Sequence, residues 1–165
     1  MPASWRRSWL KYSVEAKSRH LPGVLGRDGA PQPVEEIKAD VYRLLQDAFK
    51  KTAAHDRIVF IDGNVPPIKG SPFESKYVEK VFDQLNRLEG TQSATDPWPA
   101  AFLFFTNHPN HFVGANDQDP GHTIFFTGFN MPDFKKDDAI VFTKYSAVMQ
   151  LYDSVLNHEK IPHEF

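Results

Sequence analysis

A chain of 165 residues with 41% hydrophobic side chains and a net charge of −2 is sized for one domain with a real core, because a domain near this length buries roughly 70% of the surface its unfolded chain exposes. The absence of cysteine excludes disulfides and thiolate metal sites. The longest apolar run, AAFLFF at 100–105, is far short of a membrane span, and the basic opening MPASWRRSWLKYS lacks the apolar stretch of a secretory signal, so the sequence reads as a soluble cytoplasmic protein with no membrane partner.

The charge is unevenly placed. Residues 1–27 hold Arg6, Arg7, Lys11, Lys17, Arg19 and Arg27 against Glu15 alone, a net of +5 that leaves −7 for the rest. Such a segment suits a solvated basic face or contact with a polyanion such as DNA, with Arg6, Arg7 and Arg19 as the phosphate-contacting candidates. Trp5 and Trp9, beside the arginines, read as cover for apolar surface. KYSVEAKSR at 11–19 alternates as a strand does: Tyr12, Val14 and Ala16 share one face, and Ser13, Glu15 and Lys17 share the other. One face is expected to pack, and the polar one to carry chemistry or meet water.

HLPGVLGRDGAPQP at 20–33 reads as a long loop. Behind Pro33, Val34, Ile37, Val41, Leu44, Leu45 and Ala48 recur at helical spacing and predict one amphipathic helix to about Lys51. RIVFID at 57–62 is a short continuous apolar run, the pattern of a strand buried on both faces, and GNVPPIKG ends it. The next helix is expected to start at Ser71 as N-cap, with Pro72 in its first turn and Glu74 as capping-box acid. Gly90 would close it, and Val78, Val81, Phe82, Leu85 and Leu88 would form its buried stripe.

AAFLFFTN at 100–107 and HTIFFTGF at 122–129 are two further buried strands joined by a long polar loop. A last helix is predicted from about Asp138 to His158, with Val141, Tyr145, Val148, Tyr152 and Val155 in register. The order β-loop-α-β-α-β-β-α, without internal repeats, predicts a single α/β domain over 1–165, a mixed sheet flanked by helices.

Other constellations carry less. His108, His111 and His122, with Asp117 and Asp119 between them, are zinc-competent types. Their H-x-x-H spacing falls in a Pro-containing loop, not on a helix that would aim both rings together, so they read as a polar loop with capping histidines. The phenylalanine clusters FLFF, IFF and GFNMPDF read as core before base-stacking platform. The sequence holds no nucleophile elbow, phosphate-binding glycine loop or dinucleotide fingerprint.

Glu15 and Lys17 make chemical sense together at a phosphodiester. A carboxylate can hold a hard divalent cation, and a neighbouring ammonium can orient water and stabilise charge developing on phosphorus. VEAK at 14–17, followed by a helix and then the buried strand RIVFID, resembles the second half of the PD-(D/E)XK signature of the restriction endonuclease-like nuclease superfamily. The resemblance spans roughly residues 8–62, and 63–165 match no motif and read as a family-specific extension of sheet and helices. It implies Glu15 as catalytic carboxylate and metal ligand, the main-chain carbonyl of Ala16 as a further metal contact, and Lys17 as the catalytic residue orienting water. It also implies Mg²⁺ or Mn²⁺ as cofactor and DNA as substrate.

The family's other carboxylate, an Asp on the preceding strand, has no counterpart, since residues 1–14 contain no acid. The expectation is a nuclease-like domain incomplete at its N-terminus, binding its cation weakly, weak or inactive as this chain, and with an exposed sheet edge that permits oligomerisation. Glu35, Glu36 and Asp62 are the acids near enough in sequence to complete the site instead. The competing expectation is a non-catalytic module that keeps the fold, has lost the metal site and binds nucleic acid or a partner protein.

Overall fold

The computed structural model describes residues 11–24, 27–66, 68, 70–107, 123–135 and 143–156. The elements follow as β1 (Tyr12–Ser18), α1 (Val41–Phe49), β2 (Asp56–Asp62), α2 (Lys76–Gly90), β3 (Ala101–Asn107), β4 (Thr123–Phe129) and α3 (Ser146–Leu156), with short 3₁₀ turns at Val34–Glu36, Pro72–Glu74 and Pro132–Lys135. The four strands form one mixed sheet in the order β1-β2-β3-β4. β1, β2 and β3 run parallel, so each connection must cross from one end of the sheet to the other, and α1 and α2 lie in those crossovers. β4 pairs antiparallel with β3. This is the α/β class that the apolar runs and helical spacings predict. No described helix is long and apolar enough to cross a membrane.

Helices on both sides explain why the strands read as unbroken apolar runs. On one face Val59, Ile61, Leu103 and Phe105 meet Leu44, Leu45 and Ala48 of α1 and Val78, Val81 and Leu85 of α2. On the other, Ile58, Phe102 and Phe104 meet Val148 of α3, with Tyr145, Leu151 and Tyr152 packed around them. The phenylalanines extend the strand pairing into ring contacts. Phe104 and Phe126 are opposite one another, as are Phe105 and Phe125, and their centroids stand 5.3 Å and 4.8 Å apart in stacked geometry. The expectation that the FLFF and IFF clusters are core is met at Phe102, Phe104, Phe105 and Phe125, all buried.

Four local expectations are corrected. The helix expected from Val34 is two pieces: a 3₁₀ turn over Val34–Glu36, extended backbone at Ile37, and α1 only from Val41. Asp40 stands between them in the left-handed region (φ 55°), and no helix continues through that conformation. Pro72 and Glu74 belong to a separate 3₁₀ turn that the Ser71 carbonyl opens by accepting from the Glu74 N–H, while the N-cap of α2 is Ser75, whose Oγ accepts from the Tyr77 N–H at 3.2 Å. Gly90 is the last residue of α2, and Thr91 closes the helix by donating its hydroxyl to the Arg87 carbonyl at 2.9 Å.

The fourth correction concerns β1, where the polar face is the covered one. Glu15 and Lys17 are 18% and 19% exposed, whereas Val14 is 61% exposed and Ala16 and Ser18 are also open. α1 covers the Glu15 side, while α3 packs over β2 and β3. Of the even-numbered β1 residues, Tyr12 joins that second cluster, meeting Phe102 edge-on. β1 forms one end of the sheet, with no strand on its outer side among the described residues. The last helix is described as Ser146–Leu156, preceded by a turn at Tyr145, and residues 138–142 and 157–158 of the predicted span lie outside the described residues.

Candidate functional site

Period-two alternation puts Ser13, Glu15 and Lys17 on the β1 face beneath α1, opposite Arg57, Val59 and Ile61 of β2 in register. The Lys17 ammonium stands 2.9 Å from Glu15 Oε1. A second ammonium reaches the same oxygen: Lys51 Nζ lies 2.6 Å from it. Lys51 is brought there by the end of α1. Arg57 donates to the Ala48 carbonyl at 3.3 Å and the Lys51 carbonyl at 2.7 Å, tying β2 to the C-terminal end of α1. Its guanidinium also lies over the Phe49 ring. Ser13 Oγ accepts from the His55 N–H at 3.2 Å, tying the following turn to the start of β1.

Two cations on one oxygen hold the Glu15 carboxyl below the usual carboxylate range, the Lys51 hydrogen bond first and the Lys17 bond second. Lys17 is also within electrostatic reach of Asp47, whose carboxyl is held low chiefly by Lys50 and in smaller part by Lys17. The arrangement can anchor a carboxylate in its charged form and present two ammonium groups to an incoming anion. A small cleft of about 80 Å³ runs along it, lined by Ser13, Glu15, Ala48, Lys51 and Arg57 among others.

A divalent cation meets a partial fit here. Glu15 and the Ala16 carbonyl would hold it, but Oε1 of Glu15 already receives both lysines. No group of three or more His, Asp or Glu side chains able to hold a metal occurs among the described residues. Asp62 is opposite Ser18 in the register, three positions beyond Glu15, and its Oδ1 accepts from the Asn64 N–H at 3.4 Å. Glu35 and Glu36 sit in the 3₁₀ turn before α1, where Lys80 donates to the Glu35 carbonyl. Of the six positions a hard divalent cation fills, Glu15 and the Ala16 carbonyl would supply few, and no described carboxylate joins them in a ligand group.

The remaining candidates are placed differently. Arg19, just past β1, is 7% exposed and stands beside the Tyr77 hydroxyl, lining a cavity rather than open surface. Burial pushes the Tyr77 hydroxyl up, and Arg19 opposes that shift. Asn64 joins the ends of β1 and β2 by donating to Ser18 Oγ at 2.7 Å and to the Arg19 carbonyl at 2.6 Å. Arg6, Arg7, Trp5, Trp9 and the loop residues His108, His111, Asp117, Asp119 and His122 lie outside the described residues. Lys51 is the site residue that the sequence reading misses, because 36 residues of chain separate it from Glu15.

Comparison of the chain with protein-family models, curated proteins and solved structures finds no match.

Proposed function

We propose that the chain is a restriction endonuclease-like domain of the PD-(D/E)XK kind, directed at phosphodiester bonds of DNA and weak or inactive as a nuclease in this form. The observation that carries the reading is the pairing of Glu15 with Lys17 on one face of β1, a strand that leads through α1 into its parallel neighbour β2. In this reading Lys17 orients the attacking water and meets the charge that builds on the phosphate, and Glu15 keeps that ammonium in place. A bound Mg²⁺ or Mn²⁺, held by Glu15 and the Ala16 carbonyl, would supply Lewis-acid polarisation of the phosphate.

The test is cleavage of supercoiled plasmid and of duplex and single-stranded DNA by the purified chain with Mg²⁺ or Mn²⁺. Slow cleavage is expected, abolished by Glu15→Gln and by Lys17→Ala. Cleavage that persists in both variants removes the pair from the active site. A second reading, a nucleic-acid-binding module without catalysis, is favoured by the two lysines that already compensate Glu15. DNA binding with no cleavage under either metal would select it.

A further inference from the structure

Beyond the carboxyl end of β1, between the start of α1 and the side of α2, lies a cavity of about 620 Å³. The volume is that of a site for a small molecule. Five cationic side chains line it, Arg19, Lys38, Arg43, Lys80 and Arg87, against the single acid Asp40. Asp40 is engaged by Arg43, with Oδ2 at 2.6 Å from Nη2 and 3.0 Å from Nε. Lys80 donates to the main-chain carbonyls of Glu35 and Ile37, which orients it without neutralising it. The wall therefore offers several positive charges and no further carboxylate.

Two more observations point the same way. Arg19 is 93% buried by its 7% exposure, and its Nη1 has no hydrogen-bond partner among the described residues. That atom is itself covered from solvent, so Arg19 adds buried positive charge to the wall, which an anion held beside it offsets. The nine-residue α1 also begins at this cavity, with Asp40, Tyr42 and Arg43 in the lining and no side-chain cap from Asp40. Its amino end adds partial positive charge. Tyr42 and Leu88 add less polar surface to the same lining.

We propose that this cavity binds a small phosphorylated molecule of nucleotide size, its phosphates at Arg19 and the start of α1 and its less polar part against Tyr42 and Leu88. One carboxylate would answer one arginine, whereas this many cations match a ligand with several negative charges. A cleft of this volume between two helices suits a compact molecule better than a strand of nucleic acid, whose phosphates are tracked along extended grooves. The site uses neither Glu15 nor Lys17, so it stands apart from the nuclease reading.

Calorimetry on the full chain with inorganic pyrophosphate, with ADP and with a short single-stranded oligonucleotide tests it, alongside thermal melts in each. Pyrophosphate and ADP are expected to bind and to raise the melting temperature. Lys38→Gln with Arg87→Gln, two exposed positions where folding is not at stake, should weaken both by roughly tenfold or more. Arg19→Gln, where circular dichroism shows it folded, should weaken them further. The proposal is overturned by the absence of heat and of a melting shift at millimolar pyrophosphate and ADP. It is equally overturned by affinity unchanged in the double variant, or by binding of the oligonucleotide alone.

Discussion

Glu15 is the residue whose chemistry the rest of its neighbourhood sets. Its carboxyl is held below the ordinary range by Lys51 and Lys17, so the folded state prefers the charged form more than the unfolded chain does. The sign follows from linkage: the stabilisation is complete above the unfolded carboxyl value and is lost as pH falls through the lower folded one. Glu15→Gln should therefore cost about 1 kcal/mol at neutral pH, the worth of a partly exposed charged pair. That gap should close as pH drops below the ordinary value of 4.5. Urea denaturation of the two proteins at pH 7 and at successively lower pH reads the gap directly, and a gap that stays constant would remove the two lysines as its cause. The Glu15 and Lys17 pair was legible because strand alternation fixes it within three residues. Lys51 and the burial of Arg19 were not, because both depend on where chain distant in sequence returns to the sheet.

At the scale of elements, the strands were more legible than the helix ends. RIVFID and AFLFF announce themselves because burial on both faces leaves no polar interruption. Val34 and Ile37 fit the helical spacing of α1, yet they belong to the 3₁₀ turn and the extended residue after it. A hydrophobic spacing records which residues are buried, and a tight turn can bury the same ones. The start of α1 shows the same limit. Asp40 sits at the N-cap position, but the cap is supplied from α2: Gln84 Oε1 accepts from the Val41 N–H at 2.9 Å. Gln84→Ala should leave that amide without its partner and cost about 1 kcal/mol, with faster hydrogen exchange at Val41. Asp40→Gly should be tolerated, since glycine adopts φ 55° without strain and no side-chain cap is lost. The opposite ranking in urea denaturation would show that Asp40 caps the helix after all.

The whole molecule places its charge unevenly, with a net of +5 in residues 1–27 and −7 in the remainder. Phosphate contacts release condensed counterions, so DNA affinity carried by the basic segment should fall steeply with salt. Neutralising Arg6 and Arg7 together should flatten the slope of log affinity against log salt by roughly 2, close to one per lost phosphate contact. Arg19 belongs to the same run of sequence but stands buried in the cavity wall. Its neutralisation should therefore leave the DNA slope unchanged while weakening pyrophosphate binding, and that contrast separates the two anion sites. Fluorescence anisotropy with a labelled duplex across a salt series measures all three proteins. A slope that does not respond to Arg6→Gln with Arg7→Gln would take DNA away from the basic segment and turn the reading towards a partner protein. A slope that responds equally to Arg19→Gln would merge the cavity with the nucleic-acid surface.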